Sequence, residues 1–207
     1  MKRPNKESDR FNLRTKLILF HGTGVSASEA VSLPDETLTY NFLLERGVSS
    51  SNLKACGISL VYWKGCGFES AKCFEKIGFD SLDLVEGGIC NEMLLMFGRD
   101  DVVDCFLRSE NDAVAIAGSQ GAVLLNVSIK QLLEQCIGYP AHALSVLKQS
   151  NKCTSENRMH NLTAKLLLDC GLQLKTLASI GIMVGDVIEE TKASPRELEL
   201  LGFSFST

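Results

Sequence analysis

Eight cysteines are the residues of this sequence best suited to metal binding or redox chemistry. None of them forms a C-x-x-C pair, so the ligand spacing typical of zinc sites is absent. Cys56, Cys66 and Cys170 recur at one position of a repeated pattern, described below, where isoleucine, leucine or phenylalanine stands elsewhere. We therefore predict reduced thiols that pack as small hydrophobic groups in a reducing compartment, and we assign no metal.

A histidine followed by glycine and threonine offers a second candidate site. The segment LILFHGTGVSASEAV, residues 17–31, resembles the strand and His-Gly-Thr motif of ADP-ribosyltransferases of the poly(ADP-ribose) polymerase type. The resemblance implies that His21, Gly22 and Thr23 hold the nicotinamide ribose and amide of NAD, which makes an NAD-binding transferase the alternative function. That family also needs a tyrosine on a later strand, and no matching pattern follows. We expect instead a turn between a short apolar segment and the first helix.

Three further patterns fall short of a catalytic or binding site. Gly118-Ser119-Gln120-Gly121 is glycine-rich but lacks the Lys-Ser/Thr pair of a phosphate loop. Asp100, Asp101 and Asp104 form an acidic cluster that we interpret as a solvated face. No G-x-S-x-G segment marks a hydrolase nucleophile. The sequence therefore assigns no catalytic residue and no cofactor, and it predicts a protein that is not an enzyme.

Glycine returns at a nearly fixed interval along most of the chain. Between the first six glycines of the pattern the steps are ten or eleven residues. A glycine at this spacing suits the position just after a helix, where the backbone becomes left-handed. The ten glycines that we predict to stop helices are Gly47, Gly57, Gly67, Gly78, Gly88, Gly98, Gly138, Gly171, Gly181 and Gly202.

Apolar residues fill two positions before most of these glycines, four residues and one residue earlier. Phe74 and Ile77 before Gly78 are an example, and positions three apart lie on one helix face. Capping residues such as Ser49 stand between the glycines and precede each apolar run. Each segment is predicted to be a cap, about one and a half turns of helix and a stop. Such helices need stacking on their neighbours to be stable.

The pattern is weaker in the second half of the chain. We predict a helix stop at Gly118 and further helix stops near Ser128 and Lys148, although the last two positions hold no glycine. The final segment SPRELELLGFSFS repeats the full signature, with Ser194 as the cap and a proline at the first helical position.

Segments such as LKACGIS, FEKIGFD and LELLGFS carry a second resemblance. They are similar to the short leucine, glycine, phenylalanine and serine repeats in the large inner component of the Dot/Icm type IV secretion apparatus. The resemblance covers residues 40–100 and 162–207, although bulky residues such as Trp63 stand here where those repeats are more uniform. It implies a structural or assembly role and transfers no catalytic residue.

The first residues carry a local excess of positive charge, while the whole chain has a net charge of -4. We predict that this basic segment is either a solvated arm or an arm that docks on an acidic protein neighbour. The net charge argues against nucleic acid as a partner, and no apolar run reaches the ~18 residues of a membrane span. The candidate partner-binding residues of the arm are Lys2, Arg3, Lys6, Arg10, Arg14 and Lys16.

Together these patterns predict an all-α protein of tandem ten-residue helical repeats stacked as an α-solenoid. We divide the chain into a basic N-terminal arm and cap (1–36), a main array (37–148), an irregular connection (149–161) and a second array (162–207). We predict a non-enzymatic scaffold subunit that contacts other proteins in a larger intracellular or viral assembly, because solenoids present extended binding surfaces.

Overall fold

The computed structural model describes residues 11–85, 88–153 and 162–204, with side chains up to residue 150 in the second range. Every regular element in these ranges is a helix, which confirms the predicted all-α class. None of these helices combines the length and the apolarity needed to cross a membrane. The chain divides into two compact units, one formed by residues 1–80 and 91–105 and the other by residues 81–90 and 106–207.

The first unit consists of short helices, most of them six or seven residues long. Two 3₁₀ turns, Asp35–Thr37 and Lys64–Cys66, lie between them. Its helices are α1 (Leu13–Leu19), α2 (Ala27–Ser32), α3 (Tyr40–Glu45), α4 (Ser50–Ala55), α5 (Leu60–Trp63), α6 (Ala71–Lys76), most of α8 (Ile89–Phe97) and most of α9 (Arg99–Phe106).

The second unit contains longer helices as well. Its helices are α7 (Ser81–Val85), α10 (Glu110–Ala117), α11 (Gln120–Leu124), α12 (Ile129–Glu134), α13 (Pro140–Cys153), α14 (Ala164–Asp169), α15 (Leu174–Ile180), α16 (Val184–Thr191) and α17 (Pro195–Leu200).

The segment around α6 shows how one repeat ends. The Gly78 backbone has a φ of 99°, and its N–H donates to the Glu75 carbonyl at 2.9 Å. The N–H of Phe79, the next residue, donates to the Phe74 carbonyl at 3.0 Å. These two bonds are the pair that defines the Schellman helix ending. They satisfy carbonyls that the last helical turn would otherwise leave unpaired.

The same pair of bonds ends helices in both units. In the second unit, Gly181 has a φ of 95°, and the N–H of Ile182 donates to the Leu177 carbonyl at 2.9 Å. The residue after the glycine therefore folds back over the helix that it follows. Residues whose N–H donates in this way after a glycine are Val48, Phe68, Phe79, Leu172, Ile182 and Phe203.

The core of each unit is built from the apolar position four residues before the glycine. In the first unit Trp63 lies among aromatic neighbours, with its ring centroid 5.4 Å from Phe11 and 5.5 Å from Phe68. Phe68 continues this cluster to Phe74 at 4.7 Å. Leu94 departs from the pattern: it is half-buried, and the buried residues of that helix are Cys90, Met93 and Met96. The fully or almost fully buried residues of this position are Leu43, Leu53, Trp63, Phe74, Leu84, Leu167, Leu177 and Leu198.

The position one residue before the glycine is less uniform than the sequence pattern indicates. Ile180 and Leu201 are buried, whereas Ile137 is 56% exposed. Cys56 and Cys170 are only half-buried, as is Cys66. The sequence predicts core positions for these three thiols, whereas the structure places each of them, half-buried, at the border of a core.

One of the predicted helix stops is misplaced, and another closes its helix without the left-handed conformation. The stop expected near Ser128 is at Asn126, which has a φ of 49° and is followed by the bond from the Val127 N–H to the Ala122 carbonyl. Asparagine tolerates the left-handed conformation, so it replaces glycine here, and Ser128 caps the next helix. Gly118 ends α10 with a φ of -94°, without the left-handed conformation.

No helix ends at Lys148, where the repeat pattern predicts a stop. Helix α13 runs through it from Pro140 to Cys153, so the first five residues of the predicted irregular connection are helical. Residues 154–161 of that connection lie outside the described residues. No glycine or asparagine stands at position 148, and Lys148 instead pairs with Glu190 at 2.7 Å.

Candidate functional site

The basic residues predicted to bind a partner have different surroundings. Lys2, Arg3, Lys6 and Arg10 lie outside the described residues. Arg14 is exposed on α1. Lys16 is nearly buried: its Nζ lies 2.8 Å from Asp35 Oδ1 and donates to the Leu33 carbonyl at 2.6 Å. The prediction that Lys16 contacts a partner is wrong, because its ammonium holds α1 against the segment that follows α2.

The His21 segment is a turn. The residues before it form helix α1, whereas the transferase motif requires a strand at that place. Thr23 donates its hydroxyl to the Phe20 carbonyl at 2.8 Å, and the His21 carbonyl accepts from the Asn52 amide at 2.9 Å. The threonine hydroxyl and the backbone of this segment are therefore engaged in closing the end of α1.

All ten glycines predicted as helix stops have a positive φ, from 65° at Gly57 to 99° at Gly78. At Gly67 and Gly181 the glycine is itself the residue that closes a helix, in the left-handed conformation. A side chain at Gly67 would meet only Tyr40 Cβ, at 3.9 Å. The constraint at this position therefore comes from the backbone and not from a lack of space.

Acidic side chains cap helices that lie about thirty residues earlier in the chain. Ser59 and Ser70 precede α5 and α6, but neither hydroxyl caps its own helix. Instead, the Glu92 carboxylate accepts from the Leu60 N–H and, at 3.1 Å, from the Ser59 hydroxyl. Asp101 accepts from the N–H of the first residue of α6 at 2.8 Å. These carboxylates complete the first turns of α5 and α6 and are favoured there by the helix dipole.

Three further bonds join segments at a similar separation. In the second unit, Ser81 donates its hydroxyl to Asp112 at 2.7 Å. In the first, the Asn52 amide donates to the carbonyls of Leu19 and His21 at 3.0 and 2.9 Å, at the end of α1. Sequence reasoning missed all these contacts. The one signal was that Asn52, Glu92, Asp101 and Asp112 each lie in the first turn of a helix.

The cysteines show no catalytic or metal-binding arrangement. The seven cysteines whose side chains are described are free thiols, and no group of three possible metal ligands occurs among the described residues. Burial raises the pKa of Cys56 and of Cys136 to about 11, with the Glu110 carboxylate adding to the effect at Cys136. Burial also raises the pKa of Cys90 and of Cys170. Thiols of this kind react slowly at neutral pH because the thiolate is the nucleophile.

A groove of about 230 Å³ lies between α12 and α15 in the second unit. Leu133, Leu172 and Ile180 form its buried floor, and Ile137 stands exposed at its edge. The polar residues along the rim are Lys130, Glu134, Thr176 and Ser179. The side chains of the floor are already covered within the fold, so Ile137 is the one exposed apolar residue among those that line the groove.

Comparison of the chain with family models, with curated proteins and with solved structures finds no match.

Proposed function

We propose that this protein is a non-enzymatic scaffold subunit whose short helices stack in tandem as an α-solenoid and contact other proteins of a larger assembly. Each turn of the stack consists of three helices, so a helix packs on the third one after it. The array is the functional part, because stacked repeats offer a long surface on which several partners can bind.

The observation that carries the proposal is the set of hydrogen bonds between segments 30 to 33 residues apart. Glu92 to Leu60, Asp101 to Ala71 and Asp112 to Ser81 each join a helix to the third helix before it. Several helix pairs pack at the same separation: α1 packs on α4, α7 on α10, α10 on α13 and α14 on α17. A recurring separation of three helices is expected of a coiled array with three helices in each turn.

A second repeated bond supports the tandem arrangement. The Ser50 N–H at the start of α4 donates to the Ile77 carbonyl at 3.1 Å. In the other unit the Leu174 N–H at the start of α15 donates to the Leu201 carbonyl at 2.7 Å. Both donors begin a helix and both acceptors precede a glycine stop. The same contact thus recurs in segments that share only the repeat pattern.

The location and kinship of the protein remain predictions. Free thiols with raised pKa values suit a reducing compartment, where disulfides rarely persist. The resemblance to the Dot/Icm repeats points towards an assembly role but identifies no partner. The basic arm is predicted to bind an acidic neighbouring protein. Lys16 no longer belongs to this predicted binding site because it is engaged within the fold. The remaining candidates are Lys2, Arg3, Lys6, Arg10 and Arg14.

The native size of the protein in an extract of its source tests the scaffold function. We expect it to migrate far above 22.6 kDa together with the same companion proteins in repeated preparations. Deleting residues 1–10 should weaken that association if the arm contributes, while the circular dichroism of the helices stays unchanged. A protein that migrates alone as a monomer under gentle extraction would contradict the scaffold function.

A further inference from the structure

Helix α16 of the second unit has one packed face and one accessible face. On the packed face Val187 is buried, and Glu190 pairs with Lys148 of α13 at 2.7 Å. Ile188 and Glu189 point away from that side of the helix, and both are exposed, Ile188 at 43%. The face of α16 directed away from α13 therefore presents an uncovered apolar side chain with a carboxylate beside it.

Helix α1 of the first unit has the same two-sided character. Thr15 and Leu19 are buried, and their carbonyls accept hydrogen bonds from Cys56 and Asn52 of the α4 segment. Leu13 and Leu17, four residues apart on the opposite face, are 57% and 40% exposed. The face of α1 directed away from α4 therefore presents two uncovered leucines.

The stacking of helices three apart gives these two faces a geometric relation. In the second unit α7, α10 and α13 pack in this way, and the Lys148 ion pair joins α13 to α16. A helix on the accessible face of α16 would extend that series by one step. α1 presents its packed face to α4, three helices later, so its accessible face is the one that an earlier helix of such a series would contact. Stacked repeats need polar outer faces to stay soluble as single copies, and these two faces carry Leu13, Leu17 and Ile188 instead.

The charges at the two faces are opposite. Arg14 is exposed beside the leucines of α1, and Glu189 is exposed beside Ile188 of α16. The same contrast extends to the flanking sequence. The segment before α1 is basic, whereas acidic residues outnumber basic ones in the segment 184–200, where Asp186, Glu189, Glu190, Glu197 and Glu199 stand against Lys192 and Arg196. Opposite charges favour contact between unlike faces and oppose contact between two copies of the same face.

We propose that α1 of a second copy of this chain stacks on the accessible face of α16, with Leu13 and Leu17 packed against Ile188 and Arg14 paired with Glu189. The two faces are different patches of the molecule, so the contact is heterologous and joins successive copies head to tail in a ring or an open chain. The inference rests on the proposed scaffold function, and it names the chain itself as the acidic neighbour that the basic arm meets.

Sedimentation equilibrium of the purified full-length chain, from about 1 to 100 μM, tests the proposal. We expect the mean mass to rise with concentration above the 22.6 kDa of a monomer. Leu17→Glu and Ile188→Glu should each weaken self-association by roughly tenfold or more, because each places a charge in the apolar contact. Leu95→Glu, at an 81% exposed leucine of α8, is the control and should associate as the unaltered chain does. Circular dichroism checks that each variant keeps its helices.

A charge exchange separates this contact from general stickiness. Arg14→Glu and Glu189→Arg should each weaken association, and the double variant should recover it because the pair is restored with opposite sign. A monomer at every concentration, equal effects of Leu17→Glu and Leu95→Glu, or a double variant no better than the single ones would overturn the stacking proposal. The scaffold function would then still stand if the protein keeps its companions in the extract, since that measurement does not depend on self-association.

Discussion

At Gly67 the backbone has a φ of 87°, a conformation that costs an ordinary residue roughly 1–2 kcal/mol. The ten glycines predicted as helix stops share the left-handed conformation, and Asn126 and Lys192 adopt it as well. These helix endings thus depend on one backbone property. A substitution at such a position acts on one helix ending, without removing any buried side chain.

Replacing Gly67 by alanine should lower the free energy of unfolding by about 1–2 kcal/mol, because the added Cβ strains the left-handed backbone. The matched control is Gly185→Ala, at the second residue of α16, where φ is not positive and a Cβ meets nothing within 4 Å. The control should stabilise by about 0.5–1 kcal/mol. Urea unfolding measures both changes, and a loss of equal size at the two positions would refute the helix-stop role of Gly67.

Two thiols with raised pKa values, the half-buried Cys56 and the buried Cys136, make the free energy of unfolding depend on pH in the alkaline range. Cys56 and Cys136 have pKa values raised to about 11 from an ordinary 9.0. The folded chain keeps these protons above pH 9, where the unfolded chain releases them. The stabilising contribution is therefore present below pH 9 and is lost as the pH rises towards 11.

Urea unfolding at about pH 8 and about pH 10.5 should show this loss of stability. The variant with Cys56→Ala and Cys136→Ala should lose less stability between the two pH values than the unaltered chain. Lysine and tyrosine titrate in the same range in both proteins, so the difference isolates the two thiols. An identical pH dependence of the two proteins would contradict the account of the thiols.

At the scale of the element, short helices are held by contacts that lie outside their own sequence. α5 and α6 each follow a serine whose hydroxyl does not cap the helix, and carboxylates from α8 and α9 supply the missing acceptors. Such short helices are unstable alone. The neighbour about thirty residues later therefore completes each one.

The Lys16 ammonium is a contact of this kind for α1. Lys16→Met should lower the free energy of unfolding by about 1 kcal/mol or more, because the Leu33 carbonyl and Asp35 lose their donor. Asp35 is one-third exposed, which keeps the effect below the roughly 3–5 kcal/mol of a broken buried ion pair. Lys72→Met, at an exposed lysine of α6, is the control and should change stability by less than about 0.5 kcal/mol. Equal effects of the two changes would show that the Lys16 bonds contribute nothing.

At the scale of the whole molecule, the glycine interval was enough to predict an all-α chain and its short helices. Where glycine is absent the prediction fails: Asn126 ends a helix two residues before the expected slot, and α13 continues through Lys148. The contacts of Glu92 and Asp101 could not be predicted, since a ten-residue pattern does not say which later helix packs on an earlier one. Which helices pack on each other depends on how the segments coil, and the coiling depends on many contacts at once.

Amide hydrogen exchange in the variant Glu92→Ala tests most directly whether helices three apart stack on each other. We expect the Leu60 N–H and its neighbours in α5 to lose protection, while α4 and α6 keep theirs, because the lost acceptor lies in α8. Glu92→Gln retains an oxygen that can accept from the Leu60 N–H and should preserve most of the protection. A loss of protection confined to α8, with α5 unchanged in both variants, would contradict the tandem stacking on which the proposed function rests.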